Sequence, residues 1–290
     1  MSSVHEFIQT QEFATLPAVV TKILELLEKD EVDIRAVSGL IETDAPLTLK
    51  LLRVANSPLY ALRSEVNSIH QAILHLGINR LTNIVIGVSI FSKFFITKNK
   101  AINTLLEDFW WHSSCVGMIS KSMATKTGKF FKEVEFLGGL LHDIGKLAMI
   151  QFDVDKYLEV IRLVEEENHS DHQAEEIVFG TNHTLVGSEI AKLWKLPSEL
   201  QDIIKYHENI QELYRNKELV AFVRLADLLA EVWGASFHEG LKLLRLEEEP
   251  SWKILETSYP EFKQIDLELF TFELETDFKR TVEFLKLVKS

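Results

Sequence analysis

The chain has 290 residues, 46% of them hydrophobic and 26% charged, enough for one large domain or two modest ones with a real core. Its single cysteine, Cys115, excludes an internal disulfide, and no apolar run approaches the roughly 18 residues of a membrane span. The net charge of −13 lies wholly in the C-terminal part, because residues 1–100 carry ten basic and ten acidic side chains. That balance disfavours a phosphate-tracking nucleic-acid surface, and Lys50, Arg53 and Arg63 read as a solvated helix face.

In chain order, nearly every segment has helical periodicity. "LPAVVTKILELLEKD" (16–30) places Pro17 where a first turn tolerates it, with Val20, Ile23, Leu24 and Leu27 on one stripe. "DIRAVSGLIETD" (33–44) follows, then "APLTLKLLRVANSPLY" (45–60), broken at Asn56-Ser57-Pro58. "SIHQAILHLG" (68–77) closes on Gly77, and "INRLTNIVIGVSIFSKFF" (78–95) is the most apolar helix. The polar "ITKNKAINT" (96–104) reads as a connector, giving an N-terminal helical lobe over 1–97 and a C-terminal lobe over 98–290. No strand alternation or hairpin turn signal stands out, so the expected fold is all-α with two packed helical lobes. "EEENHSDHQAEE" (165–176), with His169 and His172, reads as a solvated turn and helix start rather than a metal pair. The end segment from Trp252 gives two more helices around a break near Tyr259-Pro260. The N-terminus lacks a basic stretch leading into an apolar one, so no signal peptide is expected and a cytoplasmic location is.

Several polar residues fall on apolar stripes. Leu105, Phe109, His112, Val116, Ile119 and Met123 alternate spacings of four and three, which puts His112 on a buried face. His207 follows Leu200, Ile203 and Ile204 at helical spacing, and His183 opens a helix beside Val186 and Ile190. In "GLLHDIGKLAMI" (139–150), read as one continuous helix, Asp143 shares a face with Leu140, Leu147 and Ile150. His142 lies about 100° round that helix beside Gly138 and Gly145, whose small size would admit a closely packed neighbour. Asp227 shares its stripe with Arg224 and Glu231, so spacing favours a narrow solvent face there. Three inward imidazoles plus a His-Asp pair leave two readings open: satisfied core residues, or a metal or ligand centre.

The ordered segments "LPAVVTKILELL", "LTLKLLRVANSPLYAL", "VNSIHQAILHLGINRLTNIVIG", "FWWHSSCVG", "FLGGLLHDIGKL", "NHTLVGSEIAKLWKLP" and "IIKYHE" together resemble the HDOD domain. That family is a bacterial relative of the HD and HD-GYP metal-dependent phosphohydrolases, and the resemblance covers most of the chain. It implies that His112, His142, Asp143 and Asp227 match the ligands of one divalent metal (Fe, Mn, Zn or Mg). His183 and His207 resemble residues that build a second site. Lys146 resembles the lysine that meets substrate phosphate, so the resemblance implies hydrolysis by metal-activated water, with Lys146 and Asp143 in the catalytic positions. The chain departs from HD-GYP enzymes in lacking a Gly-Tyr-Pro loop after His207, where it reads "ENIQELYRNKELV". The favoured expectation is a signal-transduction module acting through signalling-protein partners, with a buried His/Asp centre that is structural or sensory and a candidate to hold one or two divalent ions. The alternative is a metal-dependent phosphohydrolase or phosphodiesterase acting on a phosphate-containing small molecule.

Overall fold

A computed structural model describes residues 17–27, 32–56, 64–94, 100–238 and 243–289. The described residues are all-α, with no strand among them, and they group into two compact units, drawn from residues 15–96 and 97–279.

The first unit contains α1 (Ala18–Leu27), α2 (Ile34–Glu42), α3 (Ala45–Ala55), α4 (Ile69–Leu76) and α5 (Ile78–Phe94). Short polar residues set the starts. Asp33 accepts hydrogen bonds from the Arg35 and Ala36 amides, Asp44 from Leu47, and Ser68 from Gln71, each satisfying an amide that the first turn leaves unpaired. Gly77 ends α4 at φ +84, a conformation that side-chain-bearing residues resist. Asn56 bonds both backbone groups of Val66 at 2.8 Å, tying the end of α3 to the approach to α4. Ile23, Val37, Ile41, Leu51, Ile69 and Val85 are among the buried residues of its core. Lys50 and Arg53 are exposed, as a solvated face requires, while Arg63, Ser57 and Pro58 lie outside the described residues.

The second unit begins with α6 (Lys100–Lys126), so the expected connector is helical from Lys100 onward. It continues through α7 (Val134–Leu141), α8 (Ile144–Phe152), α9 (Val154–Glu167), α10 (Asp171–Phe179), α11 (His183–Leu193), α12 (Ser198–Tyr206), α13 (Lys217–Val232) and α14 (Pro250–Ser258), and it includes α15 (Leu267–Lys289) as far as Lys279. Helices α6, α7 and α13 pack mutually, α8 packs on α11, and α11 on α12. The stripe of α6 is buried along Leu105, Phe109, His112, Val116, Ile119 and Met123. A Cβ on Gly139 would lie 2.7 Å from the Gly117 backbone, so α6 and α7 touch through glycine.

Candidate metal centre

The segment 139–150 is not one helix. Helix α7 stops at Leu141 and α8 starts at Ile144, leaving His142 and Asp143 at the joint. Asp143 occupies the N-cap position of α8, yet its side chain makes no capping bond. A continuous helix would splay adjacent side chains by about 100°. The break lets both reach one place, and His142 Nε2 lies 3.4 Å from Asp143 Oδ2.

Four imidazoles converge there, each held from behind. His112 Nδ1 donates to the Ala235 carbonyl at 2.7 Å, His142 Nδ1 to Gly139 at 2.8 Å, and His207 Nδ1 to Ile203 at 3.1 Å. His183 Nδ1 donates to Glu175 Oε2 at 2.8 Å, and the same oxygen accepts the His183 amide at the start of α11. With the proton fixed on Nδ1, the neutral ring presents a lone pair on Nε2. Those Nε2 atoms face carboxylates: His112 to Asp227 Oδ1 at 3.2 Å, and His183 and His207 each to Asp143 Oδ1 at 3.4 Å. His142 Nε2 lies 3.5 Å from Asp227 Oδ1.

Asp227 is fully buried, which overturns the solvent-face reading of its stripe. Arg224 donates to its Oδ2 at 2.6 Å, turning Oδ1 toward His112 and His142. Glu231 is buried too, because its carboxylate accepts from Ser236 Oγ and the Phe237 amide. Lys146 has no exposed surface and lies 2.7 Å from Asp143 Oδ2 and 2.8 Å from Asp171 Oδ2.

Lone pairs pointed at carboxylates inside a protein require positive charge between them. In the metal-free protein, protons supply it. Burial opposes charge on His142, but the Asp143 and Asp227 carboxylates outweigh burial and push its pKa up to about 10. Burial likewise opposes charge on His183, and Glu175 foremost raises it to about 9. Burial dominates at His207 and takes it down to about 4. Against burial, His142 holds both Asp143 and Asp227 well below the usual carboxylate range.

A divalent ion fits the same position. The donor set is imidazole and carboxylate, and Asp143 Oδ1, Asp227 Oδ1 and His183 Nε2 are buried without a hydrogen bond, while Lys146 lies against Asp143 Oδ2. Donor separations of 3.2–3.5 Å match neighbouring ligands about 2.0–2.1 Å from a shared tetrahedral ion. The ligand-like groups are His112 with His142 and Asp227, His142 with Asp143 and His207, and His183 with His207 and Glu208.

A pH dependence follows for the metal-free protein. His142 and His183 have folded pKa values above the unfolded 6.5, so their contribution is complete below pH 6.5 and lost as pH rises toward 9–10. His207 has the opposite sign, and its burial costs stability as pH falls from 6.5 toward 4. Burial also raises the Glu208 carboxyl to about 7, so its contribution is lost as pH rises from 4.5 to 7 and offsets that of His207. Denaturant melts should therefore show stability falling from pH 6.5 toward 9–10, and stability rising steadily to pH 9 would contradict this charge assignment.

The HDOD domain family model matches residues 13–210. The chain belongs to the HDOD domain family. An HDOD domain protein with unknown function from Geobacter sulfurreducens is 32% identical, with a TM-score of 0.77 over 91% of this chain and 90% of that one. A provisionally named phosphohydrolase from Shewanella amazonensis SB2B is 22% identical, with a TM-score of 0.69 over 93% of each chain, a likeness of fold alone. An uncharacterized protein of Treponema pallidum (strain Nichols) is 22% identical over 218 residues, 73% of this HDOD chain. The chain spans 42% of that curated relative.

Within this HDOD fold the sequence-expected residues His112, His142, Asp143, Lys146, His183, His207 and Asp227 come together. Sequence reasoning missed Asp171 and Glu175, which it placed in a solvated acidic stretch; both are buried. The capping box of Ser170 and Gln173 starts α10 in a phase that turns positions 171 and 175 inward, one helical turn apart. Glu208 was read only as a departure from a related pattern. His172, 35% exposed in its side chain, stands edge-on to His183 with ring centroids 5.9 Å apart.

Proposed function

We propose that this HDOD protein is a cytoplasmic regulatory module that binds signalling partners, and that its His/Asp centre holds one or two divalent ions. The N-terminal lobe over 1–97 would be one partner-facing part and the 98–290 lobe the part that carries the centre. The observation that carries the reading is closure: His112, His142, Asp143, Lys146, His183 and Asp227 have no exposed surface, and Lys146 is held between two carboxylates. A hydrolase lysine must offer its charge to substrate, whereas this one is already paired. The absent Gly-Tyr-Pro loop after His207 points the same way. Among the described residues no helix is long and apolar enough to cross a membrane.

The second reading is a metal-dependent phosphohydrolase, favoured by the joint presence of His112, His142, Asp143 and Asp227 with Lys146 beside them. A bound ion would supply Lewis acidity able to polarise a phosphoryl oxygen and acidify a water. In that reading Asp143 orients His183 and His207, and Lys146 has to leave Asp171 to meet the phosphate.

Elemental mass spectrometry on protein purified without a metal-affinity column tests both. Near-stoichiometric iron, manganese or zinc is expected, lost in Asp143→Ala and His112→Ala, with no turnover of phosphomonoesters or phosphodiesters by the loaded protein. Turnover that disappears in Lys146→Ala would replace the regulatory reading with the hydrolase. Protein that stays empty after each ion is added would remove the metal from both.

A further inference from the structure

The centre has two chemically different ends. At the inner end, His112, His142 and Asp227 have fully buried side chains. At the outer end, His183, His207 and Glu208 each offer one donor atom, all within 4.8 Å of one another. Glu208 is 17% exposed there, and its two oxygens face two imidazoles: Oε1 lies 3.9 Å from His183 Nε2, and Oε2 lies 3.9 Å from His172 Nε2. Those separations are too long for hydrogen bonds. His183 Nε2 is buried, without a hydrogen bond, and fixed in direction by Glu175 behind the ring.

We infer that His183, His207 and Glu208, with His172 at the mouth, form a cation site that exchanges with solution while the His112–His142–Asp227 group retains its ion. The inference rests on the proposed metal centre and adds to it Glu208 and His172, along with a difference in access between the two ends. Imidazoles with one carboxylate suit a borderline divalent ion such as zinc or manganese. The ion would have a path to solvent past Glu208 and His172, whereas the inner ligands have none through their own surfaces. Asp143 joins the ends, with Oδ1 3.4 Å from both His183 Nε2 and His207 Nε2 and Oδ2 3.4 Å from His142 Nε2. Occupancy of the exchangeable end would thereby be felt at the closed one, as a protein reporting ambient metal requires.

The test loads the full chain with zinc or manganese salt, dialyses it against a chelator, and follows ions per chain by elemental mass spectrometry. Two ions are expected, released in a fast and a slow phase. Glu208→Gln, which keeps the side-chain volume, should hold one ion and lack the fast phase, with near-ultraviolet circular dichroism unchanged. His112→Ala should show the converse loss. Wild-type stoichiometry and release in Glu208→Gln overturn the inference, as does release of all metal in one phase. A single slowly released ion sinks the outer site alone, whereas no uptake at all sinks the proposed metal centre with it.

Discussion

Lys146→Ala is expected to destabilise the metal-free protein by about 3–5 kcal/mol, the usual result of removing one partner from a buried ion group. The ammonium bridges Asp143 and Asp171 at 2.7 and 2.8 Å, and none of its surface reaches solvent. Without it, two buried carboxylates lose their nearest cation. Lys146→Met preserves the volume of the stem and should recover little, because the deficit is charge. Pairing Lys146→Met with Asp171→Asn should recover a substantial part, since the second change removes one stranded carboxylate. Urea unfolding at fixed pH reads this as midpoint shifts at constant slope. A single-variant loss under about 0.5 kcal/mol would mean that solvent or rearrangement compensates the carboxylates.

Gly145→Ala should cost about 1–3 kcal/mol or more and also lower metal content. An added Cβ would run into the His183 carbonyl and lie 2.8 Å from the Gly187 amide, both backbone atoms that cannot rotate away. Relief requires α8 and α11 to separate, and α11 carries His183 on its first residue. Two comparisons isolate the cause. Gly187→Ala meets chiefly a methyl of Ile204 at 2.8 Å, a side chain free to repack, so the loss should be smaller. Gly39, on the exposed face of α2, has nothing within 4 Å of an added Cβ, and Gly39→Ala should stabilise by about 0.5–1 kcal/mol. Equal losses at Gly145 and Gly39 would refute the close-contact explanation.

The helices were legible because burial in a bundle imposes a period, and the α6 stripe through His112 follows that period without exception. The imidazoles were legible because a polar ring on an apolar stripe is anomalous. Asp227 was not, because Arg224 and Glu231 lie on the same stripe. A stripe facing a buried charged centre has the same spacing as one facing water, and only the partners distinguish them. Asp171 and Glu175 were hidden by their neighbours, since Glu165, Glu166, Glu167 and Glu176 around them are exposed. The break at His142-Asp143 carries no proline and no side-chain cap, so the pattern read through it. What ends the helix there is the demand of the centre for both side chains, a tertiary requirement invisible to local spacing.

The backing of the four imidazoles bears on how such a centre would decay under mutational drift. His112, His142 and His207 lean on main-chain carbonyls of Ala235, Gly139 and Ile203, groups that every residue type possesses. Changes of identity at Ala235 and Ile203 leave the oxygen in place, whereas position 139 is restricted to glycine by its contact with the Gly117 backbone. His183 alone among the four leans on a side chain, Glu175, eight residues away. A single substitution at 175 can therefore free that ring while every imidazole survives in the sequence. Descendants of this protein could keep a full complement of histidines and still have lost the outer end of the centre, and the residue to inspect first would be the one at 175.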